Sequence, residues 1–273
     1  MATVNLSGIA IVNTAFNRPH YLKQVLASWQ HARGIGDIHS FTVALGWHEE
    51  TFKAQLRAIG EFRDATGLGE RCRVKIDSSA ARRANGMHTA IAQAGNHVLQ
   101  DPAVEFVVFT EEDLLVSTDV LEYFAWAREA FAGDGRVLYA CAHNVGGQGW
   151  DRREPAQDAD ADQEAVRLLP YFNPWTCGTW RDRWVKVVEP SWDYRCDSGG
   201  ALDSGHDWNL ATRVIPRGNY LSAVPDASRS QNIGQHGGWA ANPADFHLTQ
   251  AQSFRPMRDP VAYRLVTAEA EAA

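Results

Sequence analysis

The sequence predicts an α/β fold with a mostly parallel sheet, and two patterns carry that prediction. Short apolar runs without a helical period, typical of buried strands, alternate with segments whose apolar residues recur every three to four positions. Repeated strand–helix units of this kind form parallel sheets with right-handed crossovers. Ligands bind such sheets beyond the carboxyl ends of the strands, so the residues that follow each strand are the first candidates for a site.

Strands and helices alternate in the first part of the chain. The predicted strands are Gly8–Asn13, Phe41–Leu45, Arg73–Ile76 and Val104–Phe109. The first helix begins at Arg18-Pro19, because proline suits the first turn of a helix, and it ends near Gly34. The next two helices are predicted over Glu49–Ala65 and Asn85–Leu99.

The second part of the chain has sparser elements. They are a helix over Thr118–Phe131, a strand over Val137–Ala142, short helices over Arg181–Val188 and His206–Val214, and a last strand over Tyr220–Val224. Between them, Gln148–Glu164 is rich in Gly, Asp, Ala and Arg, which predicts a mobile loop.

The composition is that of an ordinary globular protein, and it disfavours several classes of partner. The chain has 273 residues, a formal net charge of −7 and 45% hydrophobic residues. Broad binding to nucleic acid or to an anionic membrane needs clustered Lys and Arg, which this balance does not supply. The sequence shows no membrane-spanning apolar run, no signal-like N-terminus and no CxxC pair. We therefore expect a cytoplasmic protein with no membrane partner.

Three carboxylates, Glu111, Glu112 and Asp113, follow the buried strand that ends at Phe109. Crowded like charges cost free energy unless a cation or hydrogen-bond donors compensate them. Carboxylate oxygens suit Mg²⁺ or Mn²⁺, which keep part of their water shell and bridge to substrate phosphates. A metal ion held in this way would stabilise a departing nucleoside diphosphate. The alternative is that these acids only cap the helix predicted at Thr118.

The segment from Glu111 to Phe124 makes the pattern more specific. It reads acidic-acidic-Asp, then Leu-x-Val, then an Asp and an aromatic-rich helix. This order resembles the metal-binding motif of N-acetylglucosaminyltransferase I-like enzymes, which are inverting glycosyltransferases of the GT-A fold. Further segments resemble the same family in the same order, over about residues 8–250: His48–Thr51, Asn173–Trp184, Asp207-Trp208, Arg217-Gly218, Pro225–Ser230 and Ile233–Gly237.

The resemblance implies a mostly parallel, Rossmann-like sheet in one GT-A catalytic domain over residues 1–255, followed by a tail over residues 256–273. Residues 1–116 would form the donor-binding half and residues 117–255 the acceptor-binding half. The implied reaction moves a hexose or N-acetylhexosamine from a nucleotide-diphosphate sugar, such as a UDP-sugar, to a hydroxyl acceptor. It would proceed with inversion and with Mn²⁺ or Mg²⁺ as cofactor. A glycan, a small molecule and a modified nucleobase all remain open as the acceptor.

The resemblance also implies roles for individual residues. Asp113 would ligate the metal ion, and Asp207 would be the general base that takes the proton of the acceptor hydroxyl. His236, in a glycine-rich stretch, is a candidate second metal ligand. The residues implied to lie at the donor are Glu111 near the transferred sugar, Glu112 near the ribose, His88 near the base, and Ser228 and Arg229 in a loop over the diphosphate.

The sequence departs from the family pattern in two places and leaves other interpretations open. Leu45-Gly46-Trp47 stands where the family has an acid near the nucleotide base, and Gly86 stands at the position of a family His, so the donor base is not determined. Asp207 alternatively only caps a helix, with Asp203 as a rival base, and Arg82-Arg83 either meets the diphosphate or lies in solvent. The alternative functions are a metal-dependent nucleotidyltransferase or nucleotide-sugar hydrolase, and a non-catalytic carbohydrate-binding protein.

Overall fold

The structure has the predicted α/β architecture. The computed structural model describes residues 4–77, 86–144, 162–192, 206–235 and 261–266. Within these ranges, helices cover both faces of a nine-stranded, mostly parallel sheet. The strands are β1 (Ile9–Ala15), β2 (Ser40–Gly46), β3 (Cys72–Asp77), β4 (Phe106–Glu111), β5 (Leu114–Val116), β6 (Val137–Cys141), β7 (Ala165–Leu169), β8 (Cys177–Trp180), β9 (Leu221–Pro225), β10 (Ser230–Asn232) and β11 (Arg264–Leu265).

The helices connect these strands and differ widely in length. The α-helices are α1 (Pro19–Gln30), α2 (Phe52–Thr66), α3 (Gly86–Val98), α4 (Val120–Ala130), α5 (Arg181–Arg183), α6 (His206–Asn209) and α7 (Ile215–Gly218). A π-helical segment, Trp184–Val188, continues α5, and a second one, Leu210–Val214, joins α6 to α7. Single 3₁₀ turns lie at Ile35–Asp37, Gly69–Arg71 and Glu189–Ser191.

The order of strands in the large sheet is β11-β7-β9-β6-β8-β4-β1-β2-β3. Strands β3, β2, β1 and β4 are parallel neighbours, and β8 lies antiparallel between β4 and β6. After β1 the chain moves outward to β2 and β3, and it then crosses back to place β4 on the other side of β1. The carboxyl ends of β1 and β4 therefore flank the point where the strand order reverses, which is where open α/β sheets bind ligands.

The central strands are buried on both faces, which explains why most of their residues are apolar. Ile11 of β1 and Val108 of β4 belong to the core cluster formed with α1, α2 and α4. Val12 and Phe109 belong to the cluster on the opposite face, which includes residues of α3 and the π-helical segment after α5. Because side chains alternate between the two faces of a strand, Glu111 lies on the same face as Phe109, the face covered by α3.

A second, two-stranded sheet joins the turn after β4 to the C-terminal part of the chain. Strand β5 pairs antiparallel with β10, with Leu114 opposite Asn232. Next to this sheet, the Nε atom of Arg229 lies 3.2 Å from Oδ2 of Asp119, and both side chains are fully buried. The Tyr263 hydroxyl donates a hydrogen bond of 2.6 Å to the same oxygen. The start of α4, strand β10 and the segment before β11 are therefore fixed to one another.

The structure confirms the first four predicted strands and the first three predicted helices, together with Thr118–Phe131 and Val137–Ala142. Short helical structure is also present where it was predicted, at Arg181–Val188 and His206–Val214. Within the predicted loop Gln148–Glu164, residues 148–161 lie outside the described ranges.

The structure contradicts one prediction about these elements and one of the alternatives. The strand predicted over Tyr220–Val224 is not the last, because β10 and β11 follow it. The acidic cluster does not cap the next helix, because β5 lies between Asp113 and α4. Strands β5, β10 and β11 have only two or three residues each, which is too short for hydrophobic periodicity to reveal them. No helix in the described ranges is long and apolar enough to cross a membrane.

Replacing Gly178 of β8 by Ala should destabilise the protein by about 1–3 kcal/mol, since overpacking a buried site forces its neighbours to move. A Cβ atom at Gly178 would lie 2.2 Å from the ring of Phe106, which is itself fully buried. Chemical denaturation of Gly178→Ala and of a control, Gly60→Ala, measures the effect. Gly60 lies within α2 with open space around its Cβ position, so the control should gain up to about 1 kcal/mol. Equal stabilities for both variants would contradict this account of the packing.

Candidate active site

The candidate site is formed by residues that follow β1 and β4 at the reversal of strand order. Thr14 of β1 pairs with Glu111, the last residue of β4. Arg18 lies just beyond the end of β1, and Glu112 and Asp113 occupy the turn between β4 and β5. The parallel pairing of β1 with β4 thus brings a basic and an acidic segment to the same edge of the sheet.

Arg18 bridges two of the carboxylates. Its Nε donates to Oε1 of Glu112 and its Nη1 donates to Oδ2 of Asp113, both at 2.7 Å. The second carboxylate oxygen of Glu112 accepts a hydrogen bond of 2.9 Å from the backbone N–H of Phe16. Burial alone would lower the pKa of Arg18, but the charges and hydrogen bonds of Asp113 and Glu112 raise it. The guanidinium therefore stays charged and compensates part of the negative charge.

Asp113 is also enclosed from the side of the C-terminal segment. The backbone N–H of Ile233 donates to the carbonyl oxygen of Asp113 at 2.8 Å. Gly234 follows, and a Cβ atom there would lie 2.2 Å from Oδ2 of Asp113. Any other residue at this position would force the carboxylate of Asp113 to move. Asp113 is only 7% exposed as a result.

The carboxyl group of Glu111 has a strongly raised pKa. The pKa of its carboxyl is raised to about 8, first by burial and then by the negative charges of Asp113, Asp207 and Glu112, while Arg18 opposes the shift. Glu111 is therefore largely protonated at neutral pH in the protein alone. A cation placed beside it would lower its pKa again.

Asp207 and His88 reach the same site from two helix starts. Asp207 lies in α6 and His88 in the first turn of α3, and both are partly exposed. Burial lowers the pKa of His88, and the negative charge of Asp207 opposes that shift. Since Asp207 acts electrostatically on both His88 and Glu111, the three groups share one site.

An aromatic pocket adjoins Glu111 on the face of the sheet covered by α3. The cavity is small, with a volume of about 20 Å³, which is room for a water molecule rather than for a sugar ring. Thr110 and Glu111 contribute polar groups to its wall. Its other walls are mainly apolar: Ile91, Phe109, Tyr139, Phe172, Pro174, Cys177, Trp184 and Trp192.

A backbone conformation that is rare for its residue lies between Pro174 and Cys177, two residues that line this pocket. Thr176 has φ of 62°, in the left-handed region that a β-branched side chain disfavours. Its Oγ1 lies 3.0 Å from Oγ1 of Thr110, and its carbonyl accepts a hydrogen bond of 2.8 Å from the N–H of Ala142. These contacts hold the segment between Pro174 and Cys177 against the end of β4.

Comparison with known proteins concerns the fold alone. No protein-family model and no curated protein sequence matches the chain. Among solved structures it is similar to the mannosyltransferase PcManGT from Pyrobaculum calidifontis in complex with GDP-Man and Mn²⁺, with a TM-score of 0.50 and 14% identity over 81% of this chain and 57% of that one. The chain thus spans little more than half the length of that enzyme. The fold is GT-A.

Two further solved structures resemble this GT-A fold more weakly. An active-site mutant of LgtC gives a TM-score of 0.44 and 16% identity, over 79% of this chain and 71% of that one. TarS of S. aureus gives 0.49 and 12% identity, over 88% and 38% of the two chains.

The described residues of this GT-A fold suit a divalent ion of the kind the resemblance implies. The guanidinium of Arg18 binds Glu112 and Asp113, whose carboxylate oxygens are the kind of ligand that Mg²⁺ and Mn²⁺ prefer. Burial raises the pKa of Glu111, and the negative charges of Asp113, Asp207 and Glu112 add to the shift. Among the described residues, no group of three His, Cys, Asp or Glu is placed to hold a metal ion.

The remaining residues singled out in the sequence lie elsewhere in this GT-A fold. Ser228 is buried, and its Oγ accepts a hydrogen bond of 2.9 Å from the N–H of Asn144. Arg229 is enclosed with Asp119, and its guanidinium also donates to the carbonyl oxygens of Ala227 and Gln163. The structure does not bring these two side chains to the acidic cluster. His236, Asp203 and Arg82-Arg83 lie outside the described residues.

Arg18 is the site residue that sequence reasoning missed. The sequence identified it only as the residue before a helix-opening proline, and 94 positions separate it from Glu112. The sequence feature that could have identified Arg18 as a site residue is its position just after a buried strand, because the carboxyl ends of parallel strands lie at the same edge of the sheet. Recognising it required the knowledge that β1 and β4 are neighbours.

Glu111→Gln should weaken the pH dependence of stability between about pH 5 and pH 8. In the folded protein Glu111 keeps its proton up to about pH 8, whereas the unfolded chain releases it near its ordinary pKa of 4.5. The free energy of unfolding of the unaltered protein should therefore fall as pH rises through this window, by at most about 1.4 kcal/mol per pH unit from this group. Urea denaturation at several pH values in EDTA measures the slope. An exposed control, Glu61→Gln, should keep the original slope, and so would Glu111→Gln if this explanation were wrong.

Arg229→Met should cost about 3–5 kcal/mol of stability, because it leaves Asp119 buried without its cation. The matched control is Arg167→Met, whose ion pair with Asp226 is partly exposed at 34% and 18%. An exposed pair typically contributes about 0–1 kcal/mol, so the control should lose much less. Denaturation midpoints and slopes of both variants provide the measurement. A loss for Arg229→Met no larger than that of the control would contradict the anchoring role.

Proposed function

We propose that this protein is an inverting glycosyltransferase that moves a sugar from a nucleotide-diphosphate donor onto a hydroxyl acceptor. The observation that carries the proposal is the acidic cluster at the reversal of strand order in a GT-A sheet: Arg18 binds Glu112 and Asp113 beside Glu111, and Asp207 acts electrostatically on both Glu111 and His88. A diphosphate leaving group needs positive charge, and a hydroxyl nucleophile needs a base. The site offers positions for both.

In this proposal Asp207 accepts the proton of the acceptor hydroxyl as that oxygen attacks the anomeric carbon. Asp207 is partly exposed, so an acceptor has access to its carboxylate. Its negative charge also contributes to the raised pKa of Glu111, which indicates that the two groups lie near each other. Glu111 would form a hydrogen bond with a hydroxyl group of the transferred sugar, a hexose or N-acetylhexosamine.

Asp113 is the residue we propose as the protein ligand of Mn²⁺ or Mg²⁺. Such an ion, when bound, supplies positive charge that stabilises the departing nucleoside diphosphate. The mannosyltransferase of similar fold was solved with GDP-Man and Mn²⁺, which agrees with this assignment. Glu112, held by Arg18 and the N–H of Phe16, would face the ribose of the donor.

Asp207→Asn and Asp113→Ala should each lower the transfer rate by about 10²–10⁴-fold, the range expected for loss of a general base or of charge stabilisation at the leaving group. The assay screens nucleotide sugars with hydroxyl acceptors and Mn²⁺, and NMR of the product reports its anomeric configuration. Asp64→Asn, on the exposed side of α2, is the control and should keep full activity. Circular dichroism confirms that each variant is folded.

Three results would overturn the proposal or part of it. Normal transfer by both Asp113→Ala and Asp207→Asn would remove these residues from the chemistry. Donor cleavage at the same rate with and without acceptor would identify a nucleotide-sugar hydrolase instead, and retained configuration in the product would exclude the inverting mechanism.

A further inference from the structure

We infer that the guanidinium of Arg18 binds the carboxylate of Asp113 before the donor arrives and thereby weakens the binding of a free divalent ion. When the nucleotide binds, the guanidinium leaves Asp113 and binds the donor diphosphate. This inference rests on the proposed function, because it concerns the same carboxylate and the same leaving group. It adds an order of binding: the metal ion enters together with the diphosphate rather than ahead of it.

The first observation is that Oδ2 of Asp113, an oxygen of the proposed metal ligand, already accepts a hydrogen bond from Arg18. Oδ2 of Asp113 accepts the 2.7 Å hydrogen bond from Arg18 and also faces the backbone of Gly234. With Arg18 on one side and Gly234 on another, this oxygen has little room for a metal ion at the same time. An ion that uses Oδ2 must displace the guanidinium.

The second observation is the charge that accompanies this contact. Arg18 bonds Glu112 as well as Asp113, so its positive charge lies within hydrogen-bond distance of both carboxylates. A divalent ion brought to Asp113 would be repelled by that charge, and the repulsion is strong where carboxylates are more than nine-tenths buried. Removing the guanidinium from the pair removes the repulsion and frees the oxygen.

The third observation is that Arg18 is partly exposed, so a ligand in the crevice has access to its guanidinium. The side chain is 24% exposed, and its guanidinium lies 5.6 Å from the ring of Tyr21. Guanidinium groups bind phosphate oxygens in the same two-pronged way as carboxylates. A diphosphate at the crevice therefore offers Arg18 a replacement partner, while its Nε contact with Glu112 keeps the side chain near the edge of the sheet.

The experiment measures binding of Mn²⁺ alone, in the absence of nucleotide, by electron paramagnetic resonance of the free ion. Arg18→Met should bind Mn²⁺ about tenfold or more tightly than the unaltered protein, because the competing charge is gone. The matched control is Arg33→Met, which removes a two-pronged pair with Glu122 beyond the other end of α1. The exposed fraction of the Arg33 side chain, 28%, is close to the 24% of Arg18. This control should bind Mn²⁺ as the unaltered protein does.

A second measurement adds inorganic pyrophosphate, which carries the diphosphate without a base or sugar. With Mn²⁺ present, Arg18→Met should bind pyrophosphate about tenfold more weakly than the unaltered protein, since it lacks the guanidinium that would meet the phosphates. The double variant Arg18→Met/Asp113→Asn should lose the gain in Mn²⁺ affinity. If Arg18→Met does not fold, Arg18→Gln replaces it, and Arg18→Lys, which keeps the charge, should behave like the unaltered protein toward Mn²⁺ alone.

The outcomes separate this inference from the proposed function. Equal Mn²⁺ affinity for Arg18→Met and Arg33→Met would overturn the role of Arg18 while leaving the transferase proposal intact. Undiminished pyrophosphate binding by Arg18→Met would overturn the transfer of Arg18 to the diphosphate. Binding of Mn²⁺ with pyrophosphate that Asp113→Asn does not weaken would instead contradict the proposed function, because Asp113 would not be the metal ligand.

Discussion

The charge balance at the carboxyl ends of β1 and β4 is the constraint on which the rest of the site depends. Strand pairing forces carboxylates from one segment into a partly closed crevice, and such a group is stable only if positive charge or protons compensate it. The guanidinium of Arg18 compensates Glu112 and Asp113, and the proton retained by Glu111 compensates part of the remainder. The remaining negative charge is what makes the crevice receptive to a cation that arrives with a phosphate.

The surrounding fold keeps this crowded arrangement in place from a distance. Strand β10 pairs with β5, directly after Asp113, and Gly234 at the end of that segment faces the carboxylate. Strand β10 is in turn anchored through the enclosed Arg229–Asp119 pair. Residues that sequence resemblance associated with the donor can therefore matter to the site by holding the segment that encloses Asp113.

Much of the fold could be predicted because β1 to β4 and α1 to α3 have strong, regular apolar patterns. The location of the acidic cluster followed from the end of a buried strand. What could not be predicted has a common physical cause, namely that it depends on contacts between distant parts of the chain. Strand β8 lies antiparallel between β4 and β6, and the two short strands β5 and β10 find each other only through the closed structure. Arg18 belongs to the same class, since its partners are set by which strands are neighbours.

Thr176 combines an unfavourable backbone conformation with a side-chain contact that fixes the segment beside the aromatic pocket. Its left-handed backbone conformation is less favourable for threonine than it would be for glycine. However, only a side chain with a hydroxyl group can form the hydrogen bond with Thr110 at the end of β4. Replacing this threonine by glycine would relieve the backbone, but it would also leave the buried hydroxyl of Thr110 without this partner and loosen the segment beside Glu111. The two effects oppose each other, so the unfavourable backbone conformation persists where it fixes the end of β4.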